Sequence, residues 1–482
     1  MISERIEGML NLSGICKLMV FDLDGIFRVF DYTSVLSRQG FRIVRYDNIE
    51  AFRLEYEETI KTTDERIAVL VENDIYVPYD IQQRFQKRSL SLDVVFPRLH
   101  ADTLMKYACD IDLVSYAYDE CYEDLKTHVE TKRFINNTAL SEAVINNYCI
   151  AKTSAIKEHC ENAARYTDWI QIAKMKASTQ YYATMADIDI DLSFVDAAFK
   201  RFTDNGYAQL SSEIGIIAPA IVTKTLGFIF GANNPKVAII VMDGMSLFDF
   251  EVLSRFFSDI EYTLDGTFAI IPTTTPISRQ SLLSGKYPRE LDKPFTLAGE
   301  EKEFISAGEY FGYARNQIQY LRGYEPNISH HAKLIAVIIN EVDDIVHGQR
   351  QQRTGMLTAM RYLGKEGKLQ SLVISLVQSG FEVYIVSDHG NTPCVGVGGF
   401  RSGVEMESKS MRMVVLKDFA DKHDLVAKYA TEYPGHYLDK NHEFYVCEPG
   451  VSYDSKGEKV MTHGGMTIDE VIVPFVKIKG VK

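Results

Sequence analysis

The chain has 482 residues, 46% of them hydrophobic and 24% charged, with a formal net charge of −14. At about 100–200 residues per domain, this length predicts about two to four domains, each with enough apolar residues for a core. The acidic balance excludes a general, charge-driven nucleic-acid binder, because counterion release needs clustered Lys and Arg. The seven cysteines (Cys16, Cys109, Cys121, Cys149, Cys160, Cys394 and Cys447) are odd in number and form no CxxC pair. That argues against a disulfide framework or a cysteine zinc site and for a reducing cytoplasm. The opening MISERIEGML lacks an apolar signal-peptide core, so no leader is expected. Pro219 and Lys224 interrupt the most apolar stretch, residues 214–230, which reads as a buried helix rather than a membrane span.

In chain order, KLMVFD (17–22), FRIVRY (41–46) and RIAVLV (66–71) are short apolar runs separated by turn or helical segments. They predict parallel strands and a small α/β domain over residues 1–98. Residues 99–230 carry almost no Pro or Gly, and stretches such as TALSEAVINNYCIAKTSAIKEHCENAARY read as amphipathic helices. A helical middle domain is therefore expected, with GANNP (231–235) as the linker after it. The pattern changes at Lys236. KVAIIVMD (236–243) reads as a buried strand ending in an acid, SLFDFEVLSRFF as a helix, FAIIP (268–272) as a strand, EVYIVSD (382–388) as a strand ending in an acid, and DEVIVPFVKI (469–478) as a late strand. No internal repeat or low-complexity tract is present.

In open α/β sheets, ligands sit beyond the carboxyl ends of the strands. Asp243 and Asp388 each end an apolar strand, and His389 follows the second. Each acid alone reads as a cap or turn residue, but together they predict a shared crevice. In IPTTTPISRQSLLSG, Thr275 precedes Pro276 and a helix-like run. That is an N-cap arrangement, and a hydroxyl at a helix N-terminus is also placed to meet phosphate and to serve as a nucleophile. Asp343 and His347 stand four apart in INEVDDIVHGQR. On a helix they share one face and can chelate a divalent ion or simply form a surface polar pair, whereas Asp344 points about 100° away. In THGGMTIDEVIVPF, His463 precedes two glycines that allow close backbone approach. Asp243, Thr275, Asp343, His347, Asp388, His389 and His463 together supply enough oxygen and imidazole ligands for two borderline metal ions such as zinc.

The order VMDG, PTTTPISRQSLLSGKYP, DDIVH, SDHG and THGG resembles the PglZ domain, a branch of the alkaline phosphatase superfamily, over residues 236–482. The resemblance implies an alkaline-phosphatase-like α/β fold with a mostly parallel sheet. It also implies two divalent metal ions, with zinc the expected element. One would be held by Asp243, Thr275, Asp388 and His389, and the other by Asp343, His347 and His463. It further implies a phosphatase or phosphodiesterase with Thr275 as nucleophile. Arg279 matches an arginine common in PglZ domains and is expected to neutralise a phosphoryl oxygen or to form a structural ion pair. The N-terminal DLDG (22–25) and YVPYDI (76–81) are similar to those of PglZ proteins from BREX-type phage-defence systems. That likeness implies a role in bacterial antiviral defence beside other defence proteins, acting on a phosphate ester or oligonucleotide-type substrate. Lys409 and Arg412 are candidates to touch a phosphodiester backbone or to face solvent from a strand. Two rival readings remain. MVFDLDG resembles the first motif of HAD phosphatases, with Asp22 as nucleophile and Asp24 as acid, although Ile26 stands where Thr or Val is usual. The chain could also be a non-catalytic assembly component whose metals only stabilise its fold.

Overall fold

The structure, a computed structural model, describes residues 1–481 except 31, 47, 73–74, 216, 231–235, 400–409 and 418–423. The expected linker at 231–235 and Lys409 lie outside the described residues. The chain divides into two compact units, Met1–Tyr148 and Cys149–Lys482. Among the described residues, no helix is long and apolar enough to cross a membrane.

In the first unit, β1 (Lys17–Asp22), β2 (Arg42–Arg45), β3 (Ile67–Glu72) and β4 (Gln86–Leu90) form a parallel sheet in the order β2-β3-β1-β4. Successive side chains of a strand point to opposite faces. Leu18, Val20, Ala68 and Leu70 accordingly join one core, while Met19, Val69 and Val71 join the other. Burial on both faces explains why β1 and β3 read as unbroken apolar runs rather than alternating ones. The first core also takes in Leu104, Ile111, Val114, Tyr118 and Phe134. The helices over residues 101–134 thus cover this sheet.

The second unit contains β5 (Val237–Met242), β6 (Ile260–Phe268), β7 (Ile318–Arg322), β8 (Leu334–Ile339), β9 (Glu382–Val386), β10 (Thr392–Gly396), β11 (Met413–Leu416), β12 (Ala430–Tyr433), β13 (Glu443–Cys447), β14 (Val451–Ser452), β15 (Lys459–Thr462) and β16 (Ile472–Val481). Its main sheet has the order β6-β16-β9-β5-β8-β7. β9, β5, β8 and β7 pair in parallel, and only β16 runs against its neighbours β9 and β6. The fold class is therefore α/β with a mostly parallel sheet, as expected. Two three-stranded sheets, β14-β10-β15 and β11-β13-β12, are inserted in the chain between β9 and β16.

The sequence reading placed a strand at FAIIP, but the strand is β6, which ends at Phe268. Beyond that point the backbone finds other partners. Ala269 O accepts from the Tyr207 hydroxyl at 2.6 Å, Ile270 N donates to Ser278 Oγ at 3.1 Å, and Ile271 N donates to the Tyr207 hydroxyl at 3.1 Å. Side-chain oxygens thus replace a strand ladder and let the chain turn toward the next helix. The sequence reading also passed over β7 and β8, although LIAVII in β8 is buried at every position.

Helices Tyr166–Met185 and Ser193–Asn205 belong to the same unit as this sheet. Phe199 and Phe202 lie 6.2 and 5.7 Å, ring to ring, from Phe268 at the end of β6. Lys176, only 3% exposed, pairs with Asp469 at 2.8 Å and with Asp196 at 3.6 Å. A buried cation that loses its carboxylates is costly, and so is the reverse. The division into 1–98, 99–230 and 236–482 remains a proposal about autonomous folding, which truncation tests. A 149–482 fragment is expected to unfold in one cooperative thermal transition. A 236–482 fragment, with Phe268 uncovered and Asp469 deprived of Lys176 though still paired with Arg353, is expected to be aggregation-prone or to melt much earlier. Equal melting of the two fragments would refute this expectation.

Candidate metal centre

Strands β9, β5 and β8 are immediate neighbours, and each sends an acid from its carboxyl end. Asp243 follows β5 directly. Ser387 separates β9 from Asp388 and His389, and its hydroxyl bridges Met242 O at 2.8 Å and His389 O at 2.7 Å, which ties the two strand ends together. After β8, Asn340 opens the Glu341–Gly348 helix, which carries Asp343 and His347. Their four-residue spacing puts both on one face. Asp344 is exposed, as its angular offset predicts. Gly244 has φ of 73°, a conformation that favours glycine, and a Cβ there would lie a tight 3.2 Å from Asp343 Oδ1.

Thr275 begins the Thr275–Ser284 helix, and His463 follows β15. The first cluster is Asp243, Asp388 and His389, and the second is Asp343, His347 and His463; within each, the potential ligand atoms lie within 4.8 Å of one another. His389 Nε2 lies 3.0 Å from Thr275 Oγ1, 3.6 Å from Asp243 Oδ1 and 3.7 Å from Asp388 Oδ2. Asp343 Oδ1 lies 3.3 Å from the Nε2 atoms of both His347 and His463. The clusters adjoin, since the rings of His389 and His463 stack with centroids 4.1 Å apart.

Hydrogen bonds set the tautomers. His389 Nδ1 lies 3.1 Å from Gly390 O and His463 Nδ1 lies 2.9 Å from Thr273 O. A carbonyl only accepts, so each Nδ1 carries the proton and each Nε2 keeps its lone pair for the cluster. Asp243 Oδ1 and Asp388 Oδ2 are buried without a hydrogen-bond partner. Burial, then the neighbouring Asp388 charge, pushes the Asp243 carboxyl well above its usual range. Burial pushes Asp388 up to about 6 against the pull of Arg279. Burial also opposes charge on Asp343, but the His347 imidazole beside it, at 3.3 Å, holds that carboxyl below the usual range. Burial and the adjacent His389 drive His463 down to about 3, so it stays a neutral donor. Crowded buried carboxylates beside neutral imidazoles are stabilised by a cation, which reverses the upward shifts.

The family described as the BREX system PglZ alkaline phosphatase-like domain matches residues 225–478. The chain belongs to this family. No curated protein matches the chain. Solved structures with weak similarity include the murine ectonucleotide pyrophosphatase/phosphodiesterase 5, at 12% identity over 50% of this chain and 87% of that one, with a TM-score of 0.38. An inactive form of the murine protein in complex with AMP matches at 11% identity over 50% of this chain and 88% of that one, with a TM-score of 0.34. The human protein matches at 12% identity over 50% and 87%, also with a TM-score of 0.34.

The eight residues that the resemblance assigns to the site, Asp243, Thr275, Arg279, Asp343, His347, Asp388, His389 and His463, gather at this one centre of the PglZ domain. Some details differ from expectation. The N-cap is Thr274, and Thr275 is the first helical residue with Pro276 behind it. The Thr275 hydroxyl therefore faces His389 instead of capping the helix. Arg279 forms the buried ion pairs that were the plainer of its two expected roles, with Asp243 at 2.6 Å and Glu300 at 2.8 Å. Arg412 neither faces solvent nor lines a surface for a phosphodiester. It is fully buried, and it donates to Glu470 at 3.0 Å, to Val451 O at 2.7 Å and to the Cys394 sulfur at 2.7 Å.

That burial serves the His463 loop. Glu470 also accepts from Gly465 N at 2.8 Å and from Thr467 N at 3.0 Å, and a Cβ on Gly465 would lie 2.5 Å from Arg412 Nη2. Sequence reasoning missed Glu300, Glu470 and Thr273. The one available signal was the pairing of Glu470 with Thr467 as a capping box ahead of a strand.

The HAD-like motif of the first unit is spent locally. Asp22 is 1% exposed, and its two oxygens each accept a backbone N–H, from Ile26 and Phe27, at 2.7 Å. Asp24 Oδ2 accepts from Leu92 N at 2.6 Å. Both acids thus accept backbone N–H groups at turns and helix starts, a structural role that suits the DLDG pattern.

Proposed function

We propose that the PglZ domain is a two-metal phosphohydrolase that uses Thr275 as its nucleophile. The observation that carries this reading is the pair of adjoining ligand clusters, with three orphaned carboxylate oxygens, on Asp243, Asp343 and Asp388, and a threonine hydroxyl aimed at the first cluster. The donor set fits divalent ions. Asp243, Thr275, Asp388 and His389 would hold one, and Asp343, His347 and His463 the other. A mixture of carboxylate and neutral imidazole ligands suits zinc.

Two such ions, when bound, stabilise the attacking and leaving oxygens of an in-line displacement. The chain's own residues supply the rest. Thr275 gives up its hydroxyl proton as Oγ attacks phosphorus, the bond to the ester oxygen breaks, and the leaving oxygen takes up a proton and departs as an alcohol or phenol. Water then cleaves the phosphothreonine, formed from a monoester, to release phosphate, or the nucleotidyl-threonine, formed from a diester, to release a nucleotide, and the hydroxyl is restored. Free N–H groups at the start of the Thr275–Ser284 helix, and its dipole, favour an anionic phosphoryl group there. In the structure the Thr275 hydroxyl donates to His389 Nε2, so its oxygen already points into the first cluster.

A site kept only to stabilise the fold needs no hydroxyl among its ligands, and this disfavours a purely structural assembly component. The family's link to BREX supports a role in phage defence, acting in the cytoplasm beside other defence proteins. The substrate is a phosphate ester or an oligonucleotide-type phosphodiester. The test is a panel of aryl phosphate monoesters, aryl phosphodiesters, cyclic nucleotides and oligonucleotides, run with metal-loaded and chelator-stripped protein. Turnover of at least one class, lost on stripping and restored by zinc, is expected. Equal turnover with and without metal would refute the reading.

A further inference from the structure

The two oxygens of Asp243 are treated differently by their surroundings. Oδ1 is buried without a hydrogen-bond partner and faces His389 Nε2 at 3.6 Å. Oδ2 accepts from Arg279 Nη1 at 2.6 Å. Arg279 is 1% exposed, and its other contacts are equally committed: Nη1 also reaches Asn340 Oδ1 at 3.3 Å, and Nε donates to Glu300 Oε2 at 2.8 Å. Glu300, also 1% exposed, accepts from the Tyr320 hydroxyl and lies 4.0 Å from Arg322 Nη2. Burying two ions is costly unless each is paired and hydrogen-bonded. Here the pairs form a chain that ends on a single carboxylate oxygen.

The same helix contributes at both ends of this arrangement. Thr275 and Arg279 are four residues apart and share a face of the Thr275–Ser284 helix. Thr275 reaches the first cluster through His389, and Arg279 reaches it through Asp243. The planar guanidinium can hold Asp243, Asn340 and Glu300 together because its donors leave in fixed directions, which an ammonium cannot do. We propose, resting on the metal-binding reading above, that Arg279 and Glu300 are positioning residues: they fix the Asp243 carboxylate so that Oδ1 is presented to one metal ion, and they do not bind substrate. Outer residues that orient a ligand tune the affinity of the site which that ligand serves.

Zinc itself is the probe. Full-length, metal-stripped protein is titrated with zinc against a fluorescent chelator. Wild-type protein is expected to bind about two ions. Glu300→Gln keeps the size of the side chain but removes its charge, and it should weaken one ion by roughly 10- to 100-fold while sparing the other. Arg279→Lys should weaken the same ion. Tyr320→Phe, which strips one bond from Glu300 and leaves no unpaired charge, is the milder variant should Glu300→Gln fail to fold, and it should weaken that same ion to a smaller degree. Thermal melts of the stripped proteins are read alongside. Equal weakening of both ions would overturn the proposal in favour of a general structural role. Unchanged zinc affinity with a raised KM would overturn it in favour of direct substrate contact. If wild-type protein binds two ions and the variants match it, only this inference falls; if wild-type protein binds none, the proposed function falls with it.

Discussion

Thr275→Ala is expected to lower turnover by roughly three orders of magnitude or more, as loss of a covalent nucleophile does in enzymes whose catalytic groups act as a unit. The fold should survive. Thr274 occupies the cap position, so the Thr275 hydroxyl makes no capping bond, and alanine is well tolerated in the first helical turn. A stability cost of at most about 1 kcal/mol is expected. Asp22→Ala is the matched control. It leaves the Ile26 and Phe27 N–H groups without their acceptor, which should cost roughly 1–3 kcal/mol in the first unit. Turnover should stay near the wild-type value. Both variants must be compared at equal metal occupancy, since the threonine oxygen is itself a candidate ligand. If Asp22→Ala abolishes hydrolysis and Thr275→Ala spares it, the enzyme is the first unit and the assignment made here is wrong.

The second large effect concerns metal content. Elemental analysis of gently purified protein should find about two divalent ions per chain, with zinc the expected element. His389→Ala removes the imidazole that faces Thr275, Asp243 and Asp388. Asp388→Ala removes a carboxylate whose Oδ2 has no other partner. Each should cut the content toward one ion and abolish activity, because the clusters are separate ligand sets. The stacked contact between His389 and His463 could carry some of the loss to the second ion, so occupancy is measured at several zinc concentrations. Protein that holds no metal, and whose activity no added metal restores, would remove the basis for the proposed chemistry.

Several parts of this centre were legible in the sequence because their signals are local. An apolar run closed by an acid, as in VAIIVMD and VYIVSDH, announces a buried strand with a polar group at its carboxyl end. Asp343 and His347 announce, through the helical repeat alone, a carboxylate and an imidazole on one face. Family resemblance joined these motifs into one ligand set and named the fold. Other features depend on which residues meet across long separations, and local pattern carries no such information. That β9, β5 and β8 lie side by side follows from the packing of the whole sheet. That His463 is 1% exposed, stacked on His389 and hydrogen-bonded to Thr273 O depends on residues brought together from far apart in the chain.

Arg412 itself shows the limit. A basic residue at the start of a strand reads as solvent-facing, because burying a charge is unfavourable unless a partner waits for it. The partner, Glu470, is 58 residues away. FAIIP likewise has the composition of a strand, yet a tyrosine hydroxyl from residue 207 and a serine from residue 278 satisfy its backbone. The sequence by itself therefore determined the chemical inventory of the site and the local elements that carry it. The tertiary structure decided which charges are paired and which oxygens are left over for a cation, since burial and long-range hydrogen bonding set those balances.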